Sequence, residues 1–149
     1  MFNKDTAIID FTIDEQVFSV GRMDAVGWRK CSKLLTQHNV IRHLQKDCEW
    51  DAFMALMNLE DKDLDFIAEC ALKKAKVKDT NDNVMLSTFT GELDNYWLLV
   101  SKVLIANFTK LATQVRHAIA KQEVQDEMAE VGLEVRKEAY RAKIKEQIG

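Results

Sequence analysis

Four side chains that could ligate a metal lie close together in the sequence: Cys31, His38, His43 and Cys48. Thiolate and imidazole groups are the usual protein ligands of zinc, and each half of a zinc site is normally a pair of ligands a few residues apart. The intervals here, C-x6-H-x4-H-x4-C, match none of those paired patterns. We therefore predict no zinc site in this stretch, and we expect buried thiols and surface histidines instead.

Two runs of acidic and amide side chains resemble the start of a calcium-binding loop. One runs from Asp79 to Asn83 and the other from Asp61 to Asp65, with oxygen-bearing side chains at alternate positions. A calcium loop also needs a glycine at its sixth position and a bidentate glutamate at its twelfth. The first run offers Val84 and Thr90 there, and the second fails in the same way. We therefore expect a turn in the first run and the acidic first turn of a helix in the second.

The common catalytic signatures are absent from the sequence. It contains no nucleophile elbow, P-loop, dinucleotide-binding fingerprint or metalloprotease helix. Aspartate and glutamate residues are abundant, but an isolated carboxylate does not indicate catalysis unless a second group is positioned beside it. The sequence therefore predicts a protein that is not an enzyme and that uses no cofactor.

The composition is that of a globular protein able to form a core. Hydrophobic residues make up 47% and charged residues 30% of the 149 residues, which is well outside the range of disordered chains. The formal net charge of -3 argues against nucleic acid as the main partner, because phosphate binding requires a concentrated excess of Lys and Arg. Local basic patches are compatible with this charge. We expect one domain of ordinary size with an appendage.

Several features favour the cytoplasm. No run approaches the roughly 18 uninterrupted apolar residues needed to cross a bilayer, and Met1–Asp5 lacks the basic and apolar regions of a secretory signal. The three cysteines are an odd and dispersed set, which favours reduced thiols over a disulfide framework. We therefore expect a soluble cytoplasmic protein that does not enter a membrane.

The pattern of apolar residues predicts a mainly α fold with one short β-hairpin at its N-terminal end. The absence of proline and the presence of only five glycines permit long helices. Within Ile8–Gly21, apolar and polar residues alternate on both sides of the polar group Asp14-Glu15-Gln16. This alternation indicates two short strands joined by a tight turn.

Two short helices are predicted after the hairpin. Asp24 is suited to cap the first, whose pattern fades at Gln37-His38-Asn39. The second is expected between Asp47 and Asn58. Its apolar residues with one-face spacing are Trp50, Phe53, Met54 and Met57. We expect most aromatic residues of the chain to belong to the core and a minority to contact a partner.

Two longer helices follow. Apolar residues from Leu64 to Ala75 give the clearest amphipathic pattern in the chain. Asp79–Asn83 is the strongest turn signal, and either a small second hairpin or an irregular loop is expected there. Beyond it, one apolar face recurs over about five turns. This pattern predicts a central helix from about Asn95 to Ala118.

The composition changes near residue 120, where charged residues begin to dominate. We assign residues 1–119 to the domain and residues 120–149 to a charged amphipathic helical appendage. Within the appendage, four residues have the four-three-four spacing of a narrow apolar stripe, called the seam below: Val124, Met128, Val131 and Val135. Gly132 interrupts this spacing and is a weak helix former. The seam could be covered by a helix of another protein, by another copy of this chain, or by its own domain.

The segment from Phe89 to Phe108 contains a series of sequence features in addition to its helical spacing. A phenylalanine with a nearby glycine, Phe89-Thr90-Gly91, precedes a leucine-rich stretch that closes on Asn107-Phe108. Together with the N-terminal hairpin and the acidic start of the helix at Leu64, this order resembles the tail assembly chaperones of long-tailed bacteriophages. The resemblance covers residues 8–115 in outline. That family has no catalytic or metal-binding motif.

The resemblance implies a role in building a phage tail inside the host cytoplasm. Such proteins bind the tape-measure protein and keep it soluble while tail-tube subunits polymerise around it, and many are also made in a longer, frameshifted form. Tape-measure and tail-tube proteins are therefore the expected partners, alongside another copy of the chain. The candidate partner-binding residues are Phe89, Phe108, Val124, Met128, Val131 and Val135. The alternative is a small helical adaptor or inhibitor that binds one host or phage protein.

Overall fold

The computed structural model describes residues 7–148, with side chains up to residue 143. The N-terminal start, where no secretory signal was expected, lies outside these residues. The elements are strands β1 (Ile8–Ile13) and β2 (Gln16–Gly21), helices α1 (Ala25–Gln37), α2 (Glu49–Met57) and α3 (Asp61–Leu72), strand β3 (Ala75–Val77) and helix α4 (Leu93–Ile148). The chain divides into two compact units, Met1–Thr113 and Gln114–Gly149. Each is described by itself.

The predicted hairpin is present with the expected bounds. Strands β1 and β2 pair antiparallel in a register that runs from Ile8 opposite Gly21 to Ile13 opposite Gln16. The two turn residues, Asp14 and Glu15, both have positive φ angles, of 48° and 68°. Left-handed conformations at both positions match the twist of the flanking strands, which is why two-residue hairpins use them.

The N-terminal hairpin is part of a larger sheet, because a third strand that was not predicted pairs with it. Strand β3 pairs antiparallel with β2, with Phe18 opposite Val77 and Val20 opposite Ala75, so the strand order is β1-β2-β3. The mainly α class holds in outline, with 67% helix, but the first unit has a mixed α/β character. Helix α3 was predicted to reach Ala75, whereas it ends at Leu72. Ala75 is buried in the sheet instead.

The turn predicted at Asp79–Asn83 closes a minimal second hairpin. The amide of Val77 donates to the carbonyl of Asp82 at 2.9 Å, and the amide of Asn81 donates to the carbonyl of Val77 at 2.7 Å. A single antiparallel bridge joins Lys76 to Asn83. These backbone bonds pair several of the polar groups of the turn.

Helix α1 begins at the predicted cap. The side chain of Asp24 accepts a hydrogen bond from the amide of Gly27 at 2.7 Å, which satisfies one of the free N–H groups of the first turn. Helix α1 packs against α3, and a short 3-10 turn at Ile41–His43 follows it. Three apolar residues of this region are buried: Val40, Ile41 and Leu44.

The first part of α4 supplies the centre of the core of the first unit. Its fully buried residues are Leu99, Val100, Val103, Leu104, Phe108 and Ala112. Ser101 is also fully buried, and its hydroxyl donates to the carbonyl of Trp97 at 2.8 Å, so the buried polar group is paired. This stretch confirms the prediction of a central helix. Observed α4 starts close to the predicted Asn95 and extends far beyond the predicted end at Ala118.

Among the described residues, α4 is the one helix long and apolar enough to cross a membrane by length and composition. The mean hydropathy of its most apolar window is 1.2, and 44% of that window is buried within the protein. The core helix of a soluble protein has the same properties, and the buried residues of α4 place this helix in the core of the first unit. The helix is therefore compatible with a soluble protein.

The second unit is helical throughout its described length. Helix α4 continues to Ile148 without a break, so the predicted C-terminal helix is present and Gly132 does not interrupt it. A glycine inside a helix costs about 1 kcal/mol relative to alanine. The residues around it are mostly strong helix formers, such as Glu, Met, Ala, Leu, Arg and Lys, and they continue the helix through this position.

Candidate protein-binding surfaces

The seam is exposed along its whole length. Every described side chain from Lys121 to Lys143 is exposed, and the four seam residues are between 54% (Val124) and 70% (Met128) exposed. Two further apolar side chains of this unit, Leu133 and Tyr140, are also exposed, and they lie one heptad apart on a different face of the helix. The seam is therefore an exposed apolar stripe on one helix, and its contact with a partner stays a prediction.

Phe89 and Phe108 are placed differently from the seam. Both are buried, and Phe108 is fully so. Phe89 lies 5.2 Å from the ring of Phe18, while Phe108 stacks on Trp28 at the same distance. Both residues pack within the core of the first unit in this conformation. A partner contact through either of them stays a prediction that would require them to move.

Helix α2 presents the opposite face from the one its pattern indicated. Its buried residues are Ala52 and Leu56, whereas Trp50 is 56% and Met54 is 64% exposed. Together with Met57, these residues form an exposed stripe at i, i+4 and i+7, called the α2 patch below. The sequence pattern did not show which face is buried. The large apolar side chains have helical spacing and therefore indicated the buried face, whereas the face that is closely packed carries the small Ala52. Trp and Met are common anchors of protein interfaces.

A third apolar surface lies between α3 and the start of α4. It is a groove of about 440 Å³ whose apolar lining residues include Leu72, Val84, Met85, Leu86 and Trp97. Met85 and Leu86 are exposed at its edge. Tyr96 also lines the groove, and burial, together with the nearby Asp65 carboxylate, raises the pKa of its hydroxyl. No motif in the sequence pointed to this groove, because its residues come from separate segments.

The four potential zinc ligands do not converge on one point. Cys31 is buried, and burial together with the adjacent Cys70 thiol raises its pKa well above the ordinary range. The imidazole of His38 lies 3.5 Å from the Asp63 carboxylate. The imidazole of His43 accepts a hydrogen bond from the side chain of Arg42. Within the described residues, no group of three or more His, Cys, Asp or Glu side chains could hold a metal ion.

The acidic runs are parts of ordinary secondary structure. Asp61 and Asp63 lie in the first turn of α3, where negative charge favours the helix dipole. The Asp79–Asn83 run forms the turn after β3. Neither run is gathered around a central point.

Comparison with known proteins gives no relative for this chain. No family model, no curated protein and no solved structure matches it. The three apolar surfaces and the sequence resemblance are therefore the basis for a functional proposal.

Proposed function

We propose that this protein binds apolar faces of helical partners, with the seam as its principal contact. The observation that carries the proposal is the exposure of all four seam residues on one uninterrupted helix. An amphipathic helix with one apolar stripe is suited to pack against the apolar stripe of another helix. Covering such a stripe with a partner removes apolar surface from water, which lowers the free energy.

Within this class, we propose the role of a tail assembly chaperone of a long-tailed bacteriophage. It would act in the host cytoplasm, bind the tape-measure protein and keep it soluble while the tail-tube protein assembles around it. The segment from Phe89 to Asn107-Phe108 supports this role through its resemblance to that family. A tape-measure protein presents long helices with apolar faces, which are the kind of surface that the seam fits.

The size of the seam indicates how such binding would work. Full burial of a Val or Met side chain contributes about 1.5–3 kcal/mol, and the seam residues are already partly shielded by their own helix. Four of them contribute about 4–7 kcal/mol, which the loss of freedom on association, about 4–15 kcal/mol, largely or wholly offsets. One seam therefore binds weakly. Several copies along one long partner, or additional contacts through the groove, would be needed to keep that partner soluble.

Co-expression with the tape-measure protein tests the proposal. The partner would be the product of the long coiled-coil gene beside the gene for this chain, and the measurement is its soluble fraction. A variant carrying Met128→Lys and Val131→Lys places two charges in the seam and should lose the effect. Leu133→Lys is the matched control, since it adds a charge to another exposed face of the same helix, and it should keep the partner soluble. Equal solubility with and without the chain would refute the proposal.

The α2 patch favours the second candidate, an adaptor or inhibitor that binds a single protein. Its Trp50 and Met54 side chains form a compact anchor in place of a long stripe. Such a protein should bind one target in fixed stoichiometry, and Trp50→Ala should abolish binding. A chaperone that uses the seam should be insensitive to that change.

A further inference from the structure

The solvent-facing side of the sheet carries a concentrated positive charge. A cleft of about 430 Å³ is lined by Arg22, Lys74, Lys76 and Lys78, and no aspartate or glutamate of residues 7–143 is part of its lining. Ala75 and Val77 are buried while Lys74, Lys76 and Lys78 are exposed. The three lysines therefore face the same side at intervals of about 6.6 Å, twice the rise of a strand. We call this surface the basic cleft.

Two of these lysines form no ion pair among the described residues, although one of them, Lys74, is close enough to the Asp24 carboxylate to help lower its pKa. The ammonium of Lys78 lies 2.6 Å from the carboxylate of Asp10, and this hydrogen bond is the main reason that the pKa of Asp10 is lowered and that of Lys78 is raised. No carboxylate in the described part of the chain lies within ion-pair distance of the ammonium of Lys74 or Lys76. Cations that lie close together repel one another, and an anionic ligand bound beside them reduces this repulsion.

The shape of the cleft depends on a glycine in the central strand. A Cβ atom at Gly21 would lie 3.0 Å from the Cβ of Lys74. The amide of Gly21 donates to the carbonyl of Lys74 at 3.0 Å, which holds the two backbones together. A larger residue would push the Lys74 side chain aside. The glycine thus allows this lysine to lie across the floor of the cleft.

The second unit carries the complementary charge. Residues 122–135 contain five carboxylates and no Lys or Arg, and every side chain in this range is exposed. Four of the carboxylates share one face of the helix, at rises of about 6, 4.5 and 6 Å. They are Glu123, Glu127, Glu130 and Glu134. Their spacing is close to that of the lysines, so neighbouring charges can pair along the length of the contact.

We propose that the basic cleft of one copy of this chain binds the acidic face of residues 122–135 of a second copy. This assignment is based on the opposite charges of the two surfaces and on the similar spacing of their charged residues. A nucleic acid is a poorer fit, because four cations neutralise few phosphates and the chain as a whole has a net charge of -3. The contact joins two different surfaces, so it is heterologous and leaves a free cleft at one end and a free acidic helix at the other.

Sedimentation of the full chain tests this proposal. At low salt, about 50 mM, the mean mass should rise above that of the monomer as concentration increases. It should return to the monomer at about 500 mM salt, where exposed ion pairs are screened. A chain that stays monomeric at low salt overturns the proposal, as does an assembly that high salt leaves intact.

Two variants identify the surfaces. One removes the charge of the cleft with Lys74→Gln and Lys76→Gln, and the other removes acidic charge with Glu127→Gln and Glu130→Gln. Each loses two exposed ion pairs and should associate about tenfold more weakly with itself. All four positions are exposed, so the melting temperatures should not change. Association of either variant at wild-type strength contradicts the proposal.

Mixing the two variants provides the sharpest test. The cleft variant retains its acidic helix and the helix variant retains its cleft, so one complete contact should form and give a 1:1 heterodimer that grows no further. A mixture that stays monomeric overturns the proposal. The proposal is also overturned if an oligonucleotide binds the wild-type cleft and the mixture of the two variants does not associate. The seam is unchanged in both variants, so failure here is separate from failure of the proposed function.

Discussion

Trp28 stacks on Phe108, with ring centroids 5.2 Å apart and an interplanar angle of 18°. The indole N–H of Trp28 also donates to the carbonyl of Asn107 at 3.2 Å. The side-chain oxygen of Asn107 accepts a hydrogen bond from the amide of Met23 at 3.2 Å, while its side-chain nitrogen donates to the carbonyl of Val103. The Asn107-Phe108 pair therefore fastens the start of α1 to the first part of α4.

Replacing Phe108 with alanine should destabilise the first unit strongly. The side chain is fully buried, and such truncations of phenylalanine cost about 3–5 kcal/mol through lost burial and the cavity left behind. Chemical denaturation gives the change in the free energy of unfolding. Met54→Ala is the control, because Met54 is exposed and should change the free energy by less than about 0.5 kcal/mol. Similar small effects for both variants would show that Phe108 is not a core residue.

Replacing Asn107 with alanine should leave the amide of Met23 without its acceptor. Met23 is buried, and an unpaired buried donor costs about 1–3 kcal/mol. Denaturant unfolding of the variant should show a loss of that size. Asn95→Ala is a matched control in the same helix, because the hydrogen bonds of Asn95 to Asp14 and Glu92 are exposed. Equal effects at the two positions would contradict the role assigned to Asn107.

The elements that could be predicted from sequence are those with enough residues to show a period. The alternation in Ile8–Gly21 predicted the hairpin, and the helical spacing predicted α1, α3 and the first half of α4. Strand β3 has only three residues, which is too short for a period. Its Ala75 also continues the helical pattern of α3, so the two readings could not be separated without the pairing partner in β2.

The candidate surfaces were predicted less completely than the fold. The seam could be found because a regular stripe on a charged helix is visible in the sequence. The α2 patch was not foreseen, because a short helix can bury either face and the identity of the buried face depends on what packs against it. The basic cleft combines residues from β2, β3 and the segments beside them, and sheet pairing that a single sequence does not reveal brings them together.

The cap of α1 should make stability depend on acid pH. The backbone hydrogen bond from Gly27 is the main reason that the pKa of Asp24 is lowered, with a further contribution from Lys73. A lowered pKa in the folded state means that the ionised carboxylate stabilises the fold above the unfolded value, near 3.8. This stability is lost as the pH falls through the folded pKa. Asp24→Asn keeps a cap but cannot ionise.

Thermal melting of both proteins from pH 7 to pH 2.5 checks this expectation. The wild-type chain should melt higher than Asp24→Asn at pH 7, and the difference should shrink below pH 4 as the carboxyl group is protonated. A difference that stays constant across the range would show that the charge of Asp24 does not contribute to stability.

Metal removal and thiol reduction should leave the melting temperature unchanged. No ligand set has a workable spacing in the sequence, and the potential zinc ligands lie apart in the fold. A chelator and a thiol reductant can be tested separately. The native Cys31 thiol should also resist alkylation, because it is buried and its pKa is raised. Unfolding the protein should abolish that resistance. A clear drop in melting temperature with the chelator would point to a metal site.

The central claim is that residues 120–149 bind a partner through the seam and are not needed for the fold of residues 1–119. The most direct test compares the full chain with a chain that ends at Ala120. Thermal melting reports the fold, and the soluble fraction of a co-expressed tape-measure protein reports binding. We predict that the shorter chain melts at nearly the same temperature but no longer keeps the tape-measure protein soluble. A markedly lower melting temperature, with the tape-measure protein still soluble, would contradict the account.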